Sequence, residues 1–309
     1  MSKLIVIPGI TGAQGGSVAN AYLKSRGWKV RGTTRNVSSE SAKIWKAKGV
    51  EMVQANFDDI NSLVAAFQNA NVIFGVTDFW TIFKDEESHK RKKANQDITH
   101  YCFEVELMQA KNLADSAAQI PTLERYVFSS MANASKWSHG KFSRLYHMDS
   151  KALAVDYALS LPGLQEKFSQ IQAAIYYNLP WEWGLPTTPQ KQNDGSYNIT
   201  AIGSGDAPIP FLDVHRDFGS CVQTVVNAAP GINFFASQNV PHGKYNQVPL
   251  EKFEELLPGG LGREFGENVL FAQQFGYEGG DPVVRPRELG VKMTTFRDYC
   301  DQTDFSRIL

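Results

Sequence analysis

The chain has 309 residues and a formal net charge of −1, so it has room for one large α/β domain with an appendage and no global attraction for nucleic acid. Its three cysteines, Cys102, Cys221 and Cys300, make no CxxC pair, which argues against a disulfide framework and a zinc ribbon. No apolar run approaches the roughly 20 residues that span a bilayer, and the start is too short for a secretory signal, so a cytoplasmic or nuclear setting is expected.

In chain order, Lys3–Pro8 is a continuous apolar run, as expected for a strand buried on both faces. Gln14–Arg26 reads as a helix stopped by Gly27. Strands are expected at Trp28–Thr34, Val50–Gln54 and Asn71–Val76, with helices between them at Ser39–Lys48 and Asp59–Asn69. A helix over Leu107–Gln119, a strand at Arg125–Ser130, a helix over His147–Ser160 and a strand at Gln172–Tyr177 continue the alternation. Val214–Ala228 and Ile232–Ala236 add one more helix and strand. The mixed charge run at 84–93 reads as a solvated face. Such alternation means βαβ units, hence a doubly wound parallel Rossmann sheet. After Asn178 the pattern loosens into Pro, Gly, Trp and Asn. The expected division is therefore a nucleotide-binding domain over 1–177 and 211–237, and a smaller, mostly helical lobe over 178–210 and 238–309.

Gly9, Gly12 and Gly15 in "PGITGAQGG" lie between the first strand and the first helix. That context marks a dinucleotide loop: a tight turn, a close backbone approach to the pyrophosphate, and helix packed on strand. The helix N-terminus adds free N–H groups for the phosphates. The second strand ends in "GTTRN", with Arg35 where an NAD site would carry a carboxylate. A guanidinium suits the 2′-phosphate, so NADP(H) is expected over NAD(H), with Asn36, Ser38 and Ser39 in support.

"PGITGAQGGSV", "TTRN", "VTDFW", "AKNLADSA", "RYVFSSM" and "HMDSK" follow one another in an order that resembles NmrA-like proteins, atypical members of the short-chain dehydrogenase/reductase superfamily. The resemblance implies a Rossmann domain with NADP(H) and a small lobe over the cleft. Members of that family include cofactor-sensing regulators that bind protein partners, and oxidoreductases of secondary metabolism. Carried over, the family's dinucleotide contacts fall on Gly9, Ile10, Thr11, Gly12, Ala13 and Gln14, on Arg35 and its neighbours, and on Asn56 and Phe57. Further contacts fall on Thr77, Asp78 and Phe79, on Lys151, and on Tyr176 to Asn178.

A typical reductase of the superfamily has a Tyr with a Lys four residues later, on one helix face. Here Lys151 is present, Ser129 or Ser130 is available to orient a carbonyl, and His147 stands in the Tyr place, with Tyr146 about 100° round the helix. Three readings remain open. His147 is a plain helix residue beside a ribose-gripping Lys151; or it is the proton donor; or Tyr176 or Tyr177 supplies the proton. Phe79, Trp80, Phe83, Trp137, Tyr176, Tyr177, Trp181 and Trp183 either line a pocket for a flat metabolite or close the gap between the lobes. The six histidines, His242 among them, have no ligand-like spacing, and no G-x-S-x-G elbow occurs. The expected function is NADP(H) sensing with a protein partner. The alternative is an NADPH-dependent oxidoreductase acting on a small aromatic carbonyl or enone.

Overall fold

The computed structural model describes residues 2–240, 245–257 and 259–306; His242 lies outside them. The chain begins β1 (Lys3–Pro8), α1 (Ala13–Leu23), β2 (Trp28–Thr34), α2 (Glu40–Ala47), β3 (Glu51–Gln54), α3 (Ile60–Phe67) and β4 (Val72–Gly75). Then come α4 (Phe79–Lys84), α5 (Glu86–Arg91), α6 (Ile98–Ala118), β5 (Arg125–Ser130), α7 (Ala134–Trp137), α8 (Tyr146–Ser160) and β6 (Phe168–Ala173). Short pieces follow: β7 (Ile175–Tyr176), α9 (Leu179–Glu182), β8 (Gln190–Lys191), β9 (Tyr197–Asn198), β10 (Thr200–Ile202) and β11 (Ile209–Leu212). The rest is α10 (Val214–Asn227), β12 (Asn233–Ala236), β13 (Gln238–Val240), β14 (Asn246–Val248), α11 (Leu250–Glu255), α12 (Leu261–Phe275) and α13 (Phe296–Asp301).

Seven strands form one parallel sheet in the order β12-β6-β5-β4-β1-β2-β3. The chain winds outward from β1 to β3, then returns past β1 to β4 and winds the other way. That reversal opens a crevice outside the carboxyl ends of β1 and β4, where open α/β sheets take ligands. Strand period sets the two cores. Ile5 and Ile7 face one side, with Val18, Tyr22, Phe218 and Val222. Val6 faces the other, with Leu63, Phe67, Leu113, Val155 and Phe168. Helices start where Asp side chains satisfy free N–H groups: Asp59 for α3, Asp78 for α4, Asp97 for α6 and Asp213 for α10.

Helix ends shift by a few residues, α1 stopping at Leu23 rather than Arg26, and two elements move further. The sixth strand lies at Phe168–Ala173, not Gln172–Tyr177, whose end forms the separate β7; the buried Ser169 and the neighbouring Gln170 break the apolar run that marks a strand by sequence. The helix expected from Leu107 begins at Ile98, capped by Asp97. The charge run carries α5, exposed except for Ser88. The smaller lobe contributes α11, α12 and α13 with short strand pairs, β11 joining β7 and β13, and β10 joining β14. It is fastened to the sheet by Asp281, which accepts from Trp137 Nε1 and Gln172 Nε2, both at 3.0 Å.

Candidate functional site

The loop between β1 and α1 turns at Gly9 with φ +69°, a conformation that favours glycine. Gly15 lies so close beneath it that a Cβ would stand 2.4 Å from the Gly9 carbonyl oxygen. Ile10 turns inward and is fully buried, while Thr11 and Gly12 are exposed and Ala13 and Gln14 half-buried. No side chain caps α1 at Gly12, which leaves the helix N-terminus open to an anion. Three buried polar atoms at or beside these strand ends lack partners: Gln14 Oε1, Thr33 Oγ1 and Thr77 Oγ1. Buried polar groups are normally satisfied, so orphans in such a crevice fit a polar ligand that completes them.

Past β2, Arg35 is exposed and makes no ion pair among the described residues. Its nearest acidic neighbour in sequence, Glu40, is engaged by Lys43 at 2.6 Å. Asn36 holds the turn by accepting from Ser38 N at 2.9 Å, and Ser39 caps α2. Past β3, Asn56 Oδ1 accepts from Asp58 N, and the Phe57 carbonyl accepts from Asn112 Nδ2 at 2.8 Å. Past β4, Asp78 caps α4 through Trp80 N and Thr81 N, and Phe79 is fully buried. Asn178 stands just before α9 with no side-chain cap bond. Tyr176 reaches back to the glycine loop, its hydroxyl accepting from Gln14 Nε2 at 2.7 Å. Burial pushes the Tyr176 phenol above its ordinary pKa.

At the N-terminal end of α8, His147 is buried and both its ring nitrogens are engaged. Nδ1 donates to Glu264 Oε1 at 2.6 Å, and the Asn268 amide meets Nε2 at 3.0 Å. The same Glu264 oxygen accepts the His147 backbone N–H at 2.9 Å. Burial raises the Glu264 carboxyl, against the pull of His147. Both partners come from one face of α12, four residues apart. Tyr146 points elsewhere, against His100 and Phe103. Lys151 Nζ pairs with Glu106 at 2.5 Å. Ser129 and Ser130 are buried, and Ser130 Oγ donates to Gln170 at 2.7 Å. Tyr177 is stacked between Phe211 and Tyr299, its hydroxyl buried without a partner.

Six of the eight aromatic residues, Phe79, Trp80, Phe83, Tyr177, Trp181 and Trp183, pack against other rings, whereas Trp137 and Tyr176 have none beside them among the described residues. Trp80 stacks on Phe265 at 5.1 Å and meets Trp183 edge-on at 5.2 Å, and Lys84 covers Trp183 at 3.6 Å. Trp137 lies against Gly279 and Gly280, and Trp181 donates to the Tyr299 hydroxyl at 3.0 Å. A crevice of about 240 Å³ adjoins Glu264, and its lining of Asp97, Arg144, Glu254 and Arg263 is polar rather than flat and apolar. Among the described residues no three His, Cys, Asp or Glu side chains are grouped to hold a metal, and no helix is long and apolar enough to cross a membrane. Sequence reasoning missed Glu106, Glu264 and Asn268. The only signal was Glu264 and Asn268 sharing a helix face.

A family model described as the NmrA-like family matches residues 1–238. The NmrA-like family domain-containing oxidoreductase lnaB of Aspergillus flavus is 30% identical over 230 residues, covering 72% of this chain and 64% of that protein. The match thus spans less than two thirds of that relative. The oxidoreductase hkm9 of Aspergillus hancockii is 29% identical, with 95% of this chain and 90% of that protein covered. Among solved structures, NmrA, a negative transcriptional regulator, in complex with NADP superposes with TM-score 0.70 at 20% identity, covering 98% of this chain and 95% of that one. Citrobacter triphenylmethane reductase complexed with NADP(H) gives 0.66 at 14% identity, covering 97% and 99%. These likenesses show the fold.

Proposed function

The chain belongs to the NmrA-like family, and from that premise we propose that it binds NADP(H) and reports the cofactor's state to a protein partner. The loop from Gly9 to Gly15 and the open end of α1 hold the pyrophosphate. Arg35 and Asn36 take the 2′-phosphate. Asn56, Phe57, Thr77, Asp78 and Phe79 line the path across the strand ends. Lys151 grips the ribose on the nicotinamide side, where Gln14, Tyr176 and Asn178 close the site. When bound, the cofactor supplies hydride chemistry. The residues named here bind and orient it.

The observation that carries the sensing reading is the engagement of both His147 ring nitrogens by Glu264 and Asn268. The residue in the superfamily's tyrosine place fastens the lobe and has no free nitrogen for a substrate oxygen. A sensor also needs the two redox forms to bind two protein states differently. The second reading, an NADPH-dependent oxidoreductase, is favoured by the names of the relatives and by the retained Lys151, Ser129 and Ser130. NADPH oxidation followed with a panel of aromatic aldehydes, ketones and enones separates the two. No rate above buffer is expected. Turnover by the wild type that Lys151→Ala abolishes even at saturating NADPH would establish the enzyme.

Arg35→Ala should weaken NADPH by about 1.5–3 kcal/mol, the value of a charge-assisted contact, and leave NADH nearly unchanged. Calorimetric titration of both cofactors measures it. Equal losses for both would remove Arg35 from the 2′-phosphate.

A further inference from the structure

Across from Lys151 stands Glu106 of α6, a carboxylate with no exposed surface. Its Oε1 lies 2.5 Å from Lys151 Nζ, and its Oε2 accepts from the Ser150 hydroxyl. The Lys151 side chain is itself only 12% exposed. An ammonium carries three donors. One meets Glu106, a second points at the His147 carbonyl from a long 3.4 Å, and a third remains for a ligand. Burying such a pair does little for stability, because desolvation offsets the attraction. What it does supply is direction. A free lysine loses rotamer freedom when it grips a ligand, and one already held loses less. Ser150 occupies the second oxygen and so fixes the plane of the carboxylate.

We propose that Glu106 is a positioning residue for the cofactor: from α6 it holds the Lys151 ammonium at the place where the nicotinamide-side ribose is gripped. The proposal rests on the NADP(H) reading. Neither the glycine loop nor Arg35 takes part, so Glu106 acts on one end of the cofactor alone.

The test is a double-mutant cycle read by calorimetry, with Glu106→Gln, Lys151→Met and the double variant. Each is titrated with NADPH and with adenosine 2′,5′-bisphosphate, which keeps the 2′-phosphate and lacks the nicotinamide ribose. Thermal unfolding of each variant runs alongside. Glu106→Gln should weaken NADPH on the order of tenfold and leave the bisphosphate within about twofold, and adding it to Lys151→Met should cost nothing further. A merely structural Glu106 would weaken both ligands together, or add its loss to that of Lys151→Met, and either result overturns the proposal. Should Glu106→Gln fail to fold, Glu106→Asp, one methylene shorter, withdraws the carboxylate from Nζ and is held to the same pattern. A wild-type protein that binds neither probe removes the NADP(H) reading, and this inference with it. One that binds both probes while the cycle comes out additive removes the inference alone.

Discussion

Gly15→Ala should destabilise the fold by about 3 kcal/mol and weaken NADPH as well. The added Cβ would stand 2.4 Å from the Gly9 oxygen and 2.8 Å from Ile10 Cα. Both are backbone atoms, so no rotamer change relieves the clash. The turn must open or α1 must lift, and either moves the phosphate-facing loop. Gly219→Ala is the control. Its Cβ would lie 2.3 Å from the Ser17 carbonyl, where α10 crosses the middle of α1, away from the loop. It should cost comparable stability in urea unfolding while the folded protein keeps its NADPH affinity. Equal affinity losses for the two variants would mean that the loop geometry is not what binds.

His147→Ala should cost about 3–5 kcal/mol at pH 7, because it strips a buried carboxylate of its partner. The loss should depend on pH with a definite sign. Burial already raises the Glu264 carboxyl, and removing the imidazole that opposes this raises it further. A carboxyl whose native pKa lies above its unfolded value of about 4.3 contributes stability below that value and loses it as pH rises through the native pKa. The deficit of His147→Ala should therefore grow as pH rises past the raised Glu264 pKa of the wild type and level off above the still higher one of the variant. Glu264→Gln keeps an acceptor for both His147 donors and should show a smaller deficit with no such growth. Urea unfolding at several pH values checks both. A deficit that shrinks with rising pH would refute the account of this pair.

The sequence made the sheet legible wherever an apolar run ended at a glycine or a turn. β1 and β5 fall on the expected residues because each is buried on both faces, and β2, buried mainly on one face with Lys29 exposed, because Gly27 precedes it and a polar turn follows it. β6 starts earlier than the apolar run suggests because its polar Gln170 accepts from Ser130, a partner 40 residues away that no local pattern announces. The start of α6 was hidden because "ITHYCFEVE" mixes polar and apolar residues and buries Thr99 and Glu106. For the candidate site, the glycine loop and Arg35 are local chemistry and could be read directly. Glu106 and Glu264 could not. A glutamate on a helix reads as solvated until the fold brings Lys151 or His147 against it, across 45 and 117 residues. The aromatic residues had two readings by sequence, and only the packing of Trp80 on Phe265 and Trp183 chooses between them.

The most direct measurement of the central claim is a crystal structure of the protein with NADP⁺ bound. The account predicts the pyrophosphate over Gly9 to Gln14, the 2′-phosphate at Arg35, and the ribose on the nicotinamide side at Lys151. It also predicts His147 still held by Glu264 and Asn268. A cofactor seated elsewhere, or His147 released from both partners and turned toward the nicotinamide C4 beside an open pocket, would contradict it.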